Sequence, residues 1–351
     1  MSRVLVTGGG GFIGSHVCVS LLEKNFEIVV IDSFINSNQK SLSKVYEICK
    51  SENKEVLPIK ILRCDIREKE ELDNLFKRSA KEGNPIEAVF HFAGLKSVRE
   101  SILNPLDYWE VNVGGTINLL RIMDKYDCRN MIFSSSATIY EFSKNGLLHE
   151  GSKVKPINPY GKTKLTIENL LNDLYLTNPD NWRIANLRYF NPIGAHPSGL
   201  IGEEPKGIPD NIFPYICKVA AGILKELTIY GDDWQTKDGT GIRDYIHVMD
   251  LAEGHIAALD FLLKNEAQII NLNLGTGEGT SVFELINTFQ KVNNISVPYK
   301  ISIRRKGDLA YVVAKNSYAI ECLNWAPKKS LSEMCKDGWR WQKLNPNGYE
   351  K

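Results

Sequence analysis

Six short runs rich in β-branched and aromatic side chains recur through the first half of the chain: RVLVT (3–7), EIVVID (27–32), IKILR (59–63), EAVFHF (87–92), NMIFSS (130–135) and RIANLR (183–188). Amphipathic stretches separate them, among them REKEELDNLFKRSA (67–80), a pattern around 112–126 and PYGKTKLTIENLLNDLYL (159–176). Strands that are apolar at nearly every position are covered on both faces, and their alternation with helices indicates a parallel sheet. The expected fold class is α/β, a doubly wound parallel sheet filling residues 1–190. After Asn191 the texture changes: NPIGAHPSGLIGEEPKGIPDN (191–211) is rich in Pro and Gly and reads as a long functional loop. Then DYIHVMDLAEGHIAALDFLL (244–263) and IINLNLG (269–275) read as helix and buried strand, a return of about 240–275 to the first sheet. A smaller, interleaved C-terminal α/β domain over 191–351 is expected to hold the substrate.

The first strand runs into VTGGGGFIGSH (6–16), which opens a helix. Its glycines satisfy Gly9-x-Gly11-x-x-Gly14 and Gly8-x-x-Gly11-x-x-Gly14 together. Glycines there permit a tight turn, let backbone N–H groups approach a pyrophosphate, and let the helix pack close to the strand. Asp32 ends the second strand 24 residues after Gly8, where a carboxylate accepts both hydroxyls of an adenosine ribose and repels a 2′-phosphate. The first domain is therefore expected to be an NAD-binding Rossmann domain. Asp65, ending the third run in RCDI, reads either as a contact near the adenine or as the N-cap of the following helix. HFAG (91–94) ends the fourth run with small residues at the carboxyl edge, where ligands of open α/β sheets bind.

The fifth run ends in FSSSATIY (133–140), which puts Ser134, Ser135 and Ser136 at that same edge. Four Tyr-x-x-x-Lys matches occur: Tyr46/Lys50, Tyr140/Lys144, Tyr160/Lys164 and Tyr311/Lys315. Only Tyr160/Lys164, at the start of a helix 24 residues after Ser136, is expected to combine helical spacing with the right address. The competing reading is an ordinary helix start: Asn158 and Pro159 are start signals, and Ile167, Leu170, Leu171 and Leu174 form an apolar stripe that includes neither Tyr160 nor Lys164.

Bulk properties narrow the classes. The chain has 351 residues, 43% apolar and 24% charged, with formal net charge +1, so no basic field points to nucleic acid or an anionic membrane. Seven cysteines, with no Cys-x-x-Cys, sit mostly among apolar neighbours and read as reduced thiols of a cytoplasmic protein. No apolar run is long enough to span a bilayer, the N-terminus lacks a signal peptide's pattern, and the six histidines show no metal-ligand spacing.

TGGGGFIGSH, SSSATIY and YGKTK together resemble the extended short-chain dehydrogenase/reductase family. HFAGLKSV, LRYFNPIGAHPSG, GTGIRDYIHVMDLA and NWAPKKSLSEM are similar to its UDP-hexose 4-epimerase branch, from Val4 to about Gly348. The resemblance implies that Tyr160, as phenolate, takes the proton of a sugar 4-hydroxyl, helped by Ser136 and Lys164, while tightly bound NAD holds the hydride transiently. UDP-galactose and UDP-glucose would thus interconvert through a 4-keto sugar. It further implies cofactor contacts at Gly8, Gly11, Phe12, Ile13, Gly14, Asp32, Asn36 and Asp65. Others fall on Ile66, Phe92, Ala93, Lys96, Asn112, Tyr160, Lys164 and Tyr189. For the nucleotide sugar the matched positions are Lys96, Ser136, Tyr160, Asn191, Asn211, Tyr230, Arg243, Arg305, Asp308 and Val312. Arginines suit a diphosphate because they bind it bidentately; without the resemblance, Arg304-Arg305-Lys306 reads equally as a solvated cluster. A homodimer through helices near 101–125 and 159–176 is implied as well.

Rivals within the family are weaker. Sugar-nucleotide 4,6-dehydratases carry an Asp-Glu pair after the Ser/Thr, where this chain has Ala137 and Thr138. UDP-glucuronate decarboxylases and epimerases match 191–211 less well. Non-catalytic NAD/UDP-sugar-binding relatives usually lose the Tyr or the Lys, and both Tyr160 and Lys164 are present. Two departures from the branch pattern stand out. Glu141 follows Tyr140 where glycine is usual, and RRKGDLAYVVA (304–314) places Val312 where a tyrosine commonly narrows the pocket around the sugar's 2-position. With Tyr311 one residue early and side chains alternating along a strand, Tyr311 is expected to point away, leaving room for an N-acetyl group.

Overall fold

The computed structural model describes residues 2–51, 56–141, 146–305 and 308–350. Lys144 and Lys306 of the motifs above lie outside the described residues. The chain forms two compact units. The first comprises Met1–Glu141, Lys153–Arg188 and Ala252–Leu272; the second comprises Phe142–Ser152, Tyr189–Leu251 and Asn273–Lys351.

The first unit is built on a seven-stranded sheet. Strands β1 (Arg3–Thr7), β2 (Glu27–Asp32), β3 (Lys60–Arg63), β4 (Ile86–His91) and β5 (Asn130–Ser136) alternate with helices α1 (Phe12–Glu23), α2 (Lys40–Ser51) and α3 (Lys69–Lys81). Strand order is Gln268–Leu274, Arg183–Tyr189, β5, β4, β1, β2, β3. Neighbours from β3 through β5 are parallel, so the order reverses between β1 and β4 and leaves the carboxyl ends of those strands facing a switch point. The sheet is doubly wound, as the alternation of apolar runs and helical patterns requires.

Burial explains the all-apolar strands. Every residue of β1 is buried, and Leu5, Val29, Ile31, Val89, Met131 and Phe133 join Phe76, Leu119, Ile167 and Leu171 from the covering helices in one core. The helix Pro159–Thr177 starts as its sequence dictates: Asn158 accepts the Gly161 N–H at 2.8 Å and Pro159 takes the first turn. One segment departs from simple helix. The pattern around 112–126 resolves into a π-helical turn, Trp109–Gly114, followed by the α-helix Gly115–Lys125.

The second unit has its own core, with Ile193, Phe213, Ile216, Leu227, Ile229, Leu285 and Phe289 among its buried members. Its sheets are small, one ordered Thr280–Ser281, Ile242–Arg243, Tyr311–Ala314, Leu147–Leu148. Asp244 organises its centre. Completely buried, it accepts backbone N–H groups from Thr276, Gly277 and Ala314 at 2.7, 2.9 and 3.1 Å. Burial raises the Asp244 carboxyl, and those donors together with the Thr276 hydroxyl oppose the rise.

Candidate active site

The glycine loop divides into residues the chain itself needs and one it does not. Gly8 has φ +71°, and a Cβ there would meet the Ala93 nitrogen at 2.6 Å; at Gly14 it would meet the Gly8 carbonyl at 2.4 Å. Gly9 sits 2.7 Å from Val30 by the same measure. Gly11 differs: its backbone angles, φ −76° and ψ 175°, suit any residue. A Cβ on it would meet only the Gly8 carbonyl, at 3.3 Å. It occupies the N-cap position of α1 without a side-chain cap, so the first-turn N–H groups of α1 are open to an anion on that side.

Asp32, 6% exposed, orders the loop beside it. Its Oδ2 accepts Gly10 N–H at 2.9 Å, and its Oδ1 accepts Phe34 N–H at 2.8 Å and the Ser37 hydroxyl at 2.7 Å. The Ser41 hydroxyl donates to the Gly10 carbonyl at 2.9 Å, a tie that sequence patterns do not flag. Asn36 is exposed on the same loop. Asp65 is not the N-cap of the next helix: that position is Glu68, with no side-chain cap. Asp65 instead accepts Arg67 N–H at 2.9 Å and pairs with the Arg67 guanidinium at 2.9 Å, which holds its carboxyl below the usual range. Ile66 is buried and fills the space above Gly115.

At the β4 end, the Ala93 N–H donates to the Thr7 hydroxyl at 3.2 Å, and Phe92 packs 5.1 Å from the His255 ring. Asn112, 2% exposed, is engaged by the chain itself. Its Oδ1 accepts Leu95 N–H at 2.8 Å, and its Nδ2 donates to the Leu95 carbonyl at 3.0 Å and the Thr163 hydroxyl at 3.2 Å. It therefore clamps the loop carrying Lys96, itself exposed, to the Tyr160 helix. Beneath lies a buried chain in which His91 bonds Thr7 at 2.7 Å and Thr116 at 2.8 Å. Burial takes His91 down to about 3, with the Lys164 charge adding to the effect. His91 is thus a neutral structural bridge.

The three strand-end serines have different partners. Ser134 gives its carbonyl to Lys164 Nζ at 2.6 Å, and Ser135 Oγ donates to Glu168 Oε1 at 2.5 Å. Ser136 Oγ accepts Thr138 N–H at 3.2 Å and the Thr138 hydroxyl at 3.0 Å, and its side chain hydrogen-bonds the Tyr160 phenol. Lys164 Nζ stands 5.9 Å from the Tyr160 ring centroid and 4.9 Å from that of Phe133. Burial pushes the phenol up while the Ser136 hydrogen bond pulls the other way. Burial brings Lys164 down to about 7, against the pull of Glu168. Hydroxyl, phenol and ammonium are thus brought together within one unit, Ser136 and Lys164 buried and Tyr160 half-buried, with perturbed acidities of the kind acid–base sites require.

Two expectations about the tyrosines need correction. Tyr46 and Lys50 also share a helix, α2, so helical spacing does not single out Tyr160/Lys164; what does is burial, since Tyr46 is 37% exposed and Lys164 only 5%. Lys164 is also not off the buried stripe: Lys164, Ile167, Glu168 and Leu171 form one buried helical face. Tyr140 is fully buried against Arg188. The neighbouring Glu141 ion-pairs with Lys153 and Lys155 at 2.7 and 3.4 Å.

In the second unit Tyr189 is buried and Asn191 hydrogen-bonds the Asp244 carbonyl through its N–H at 3.0 Å. Asn211 is exposed at the N-cap of the helix Ile212–Ala220 without capping it. Arg243 is held by the carbonyls of Ile242 and Leu309 at 2.8 and 2.9 Å and lies 3.6 Å from Asp308. Arg305 stacks 3.8 Å over Tyr230, and Arg304 stacks 3.9 Å over Trp234 and pairs with Asp233 at 2.7 Å. These two arginines, both exposed, are oriented by aromatic rings. Val312, 9% exposed, is in register with Arg243, and Tyr311 with Ile242. Val312 and Arg243 thus share a face that Tyr311 does not. Tyr311 lies against Gly146 and Gly279, where a Cβ would meet it at 2.1 and 3.2 Å.

The chain matches the family model described as GDP-mannose 4,6 dehydratase over residues 5–338. It is 47% identical to a UDP-glucose 4-epimerase of Bacillus subtilis (strain 168) over 347 residues, covering 99% of this chain and 98% of that one. A bifunctional UDP-glucose 4-epimerase and UDP-xylose 4-epimerase 1 of Pisum sativum is 46% identical, with 99% and 97% covered. Among solved structures, a UDP-glucose-4-epimerase from Stenotrophomonas maltophila with bound NAD and formylated UDP-arabinopyranose superposes with a TM-score of 0.93 at 44% identity, 99% of each chain covered. One from Bifidobacterium longum in complex with NAD+ and UDP gives 0.90 at 42%, covering 99% of this chain and 100% of that one. With likeness of this degree along the whole chain, the protein belongs to the extended short-chain dehydrogenase/reductase family, in the branch of the UDP-glucose 4-epimerases.

Proposed function

We propose that the protein is an NAD-dependent UDP-hexose 4-epimerase that interconverts UDP-galactose and UDP-glucose through a 4-keto sugar. The observation that carries this is the convergence of Ser136, Tyr160 and Lys164 at the carboxyl edge of a doubly wound sheet. The chain fits NAD: Gly11 leaves room before the α1 N-terminus that no internal packing demands, and Asp32 offers carboxylate oxygens suited to ribose hydroxyls. Asp65, Phe92, Ala93 and Lys96 continue that edge as cofactor contacts. When bound, NAD supplies the acceptor and donor for the hydride at C4 of the sugar.

The protein's own residues manage the proton. Ionising a phenol of ordinary pKa at pH 7 costs about 4 kcal/mol, and burial adds to it. The Lys164 ammonium, anchored on the Ser134 carbonyl, stabilises the anion. The Ser136 hydroxyl shares the proton that Tyr160 takes from the 4-hydroxyl, and the same groups return it when the ketone is reduced. Arg243 and Arg305 of the second unit are read as diphosphate ligands, with Asn191, Asn211, Tyr230 and Asp308 completing nucleotide-sugar recognition.

A 4,6-dehydratase is disfavoured although the matching family model bears that name. Elimination needs an acid–base pair at positions where Ala137 and Thr138 stand. Seven free thiols, six of them buried, fit a cytoplasmic enzyme, and among the described residues no helix is long and apolar enough to cross a membrane. Exposed Ile102, Leu103, Leu106 and Leu176 support a homodimer through the helices expected to form it. The test of function is incubation of purified protein with UDP-galactose and no added NAD. UDP-glucose should form, and its absence would overturn the reading.

A second substrate pair follows from Val312. A valine in place of the narrowing tyrosine, on the Arg243 face of its strand, leaves room for a 2-acetamido group, so UDP-GalNAc and UDP-GlcNAc should interconvert as well. A rate on UDP-GalNAc below about a thousandth of that on UDP-galactose, roughly a 4 kcal/mol barrier gap, would refute this.

A further inference from the structure

Behind the Ser136–Tyr160–Lys164 cluster lies a buried ion pair that the chemistry above does not use. Glu168, 6% exposed, follows Lys164 by one helical turn, and Arg188, 4% exposed, ends the apolar run RIANLR. Arg188 grips the carboxylate bidentately, Nε to Oε1 at 3.0 Å and Nη2 to Oε2 at 2.7 Å. Both partners also reach out. Glu168 accepts the Ser135 hydroxyl at 2.5 Å, and Arg188 Nη1 donates to the Tyr140 hydroxyl at 2.9 Å. Ser136 lies between those two contacts, one residue after Ser135 and four before Tyr140.

Stability alone is a poor reason for such a pair, because well-packed apolar residues of similar volume commonly replace a buried ion pair at no loss. Here the Ser135 and Tyr140 contacts fasten both ends of the segment that carries Ser136, and the pair ties them to the helix that carries Tyr160 and Lys164. We propose that Glu168 and Arg188 are positioning residues of the epimerisation site: their clamp fixes the Ser136 hydroxyl against the Tyr160 phenol. This rests on the epimerase reading given above. The same carboxylate faces Lys164, which among the described residues also neighbours Tyr160 and the neutral His91.

The test replaces both members of the pair at once, Glu168→Leu with Arg188→Met, so that neither is left buried without the other; kcat is followed from pH 6 to 9, because losing the Glu168 carboxylate also acts on Lys164. Ser135→Ala, which removes one contact to Glu168, is made separately. Each purified protein is measured for bound NAD, melting temperature, and kcat and KM on UDP-galactose. Positioning predicts that the folded, NAD-loaded double variant loses at least about tenfold in kcat with little change in KM, the size of effect that misplaced reacting groups produce. Ser135→Ala should fall in the same direction by less. A purely structural pair predicts wild-type kcat once the double variant folds, and kcat within about twofold of wild type would overturn the proposal. If the double variant does not fold, Ser135→Ala decides by the same criterion. An inactive wild-type protein would instead sink the epimerase reading and this proposal with it.

Discussion

Replacing Lys164 with Met keeps an unbranched side chain, one atom shorter, and removes its charge. The ammonium lies 5.9 Å from the Tyr160 ring centroid, on the buried face of the helix. Taking that distance as the charge separation and an effective dielectric near 20, its attraction for a phenolate is about 3 kcal/mol. That corresponds to about 100-fold in phenolate population at fixed pH. The variant should therefore lose about 100-fold in kcat at pH 7. Without the cation the phenol's acidity weakens further, and only the phenolate accepts the sugar's proton. Above neutrality the loss should shrink about tenfold per pH unit, because Lys164, brought down to about 7 by burial, deprotonates and the wild-type phenolate–ammonium population levels off while the variant's phenolate still rises. Initial rates on UDP-galactose from pH 6 to 10, corrected for bound NAD, read this out. A kcat within threefold of wild type at pH 7, or a loss that stays constant with pH, would refute the electrostatic account of Lys164.

Other perturbations separate the roles of neighbouring groups. Tyr160→Phe removes the proton acceptor while leaving the Ser136 and Lys164 scaffold, so NAD should remain bound while turnover all but disappears; retained turnover would contradict its role. Gly14→Ala drives a Cβ to 2.4 Å from the Gly8 carbonyl and should destabilise the fold by about 1–3 kcal/mol. Gly11→Ala should leave the melting temperature nearly unchanged and yet weaken NAD retention, because only the ligand needs that space; thermal melts and NAD content distinguish the two glycines. Val312→Tyr should abolish turnover of UDP-GalNAc and spare UDP-galactose, and equal losses on both would mean that residue 312 does not border the sugar's 2-position.

Much of the fold was legible because its driving force is written locally. Runs that are apolar at nearly every position, such as RVLVT and EIVVID, become β1 and β2 at those boundaries, since strands covered on both faces leave few polar positions. The glycine loop, Asp32 and the Tyr160/Lys164 pair were legible for a related reason, as each needs fixed residue types at short spacing. What was not legible depends on partners distant in sequence. Asp65 offered a cap by its type, but Arg67 claimed the carboxylate. The engagement of Asn112 with Leu95 and Thr163 depends on tertiary packing that its NVGGT motif does not reveal. Glu168 left one readable sign, a carboxylate on the same helical face as Ile167 and Leu171, whereas its pairing with Arg188 required the sheet to form first. Tyr46/Lys50 has helical spacing too, because Lys40–Ser51 is a helix, and its exposure is a property of packing that the spacing does not carry.

The central claim is that hydride leaves C4 and returns to C4 within one protein molecule. UDP-galactose carrying deuterium at C4 tests it directly, with the product UDP-glucose read by mass spectrometry and NMR. The account predicts that the product keeps its deuterium at C4, with none released to solvent and no dependence on added NAD. Deuterium washed out into water during conversion would show proton abstraction at carbon instead, and would contradict it.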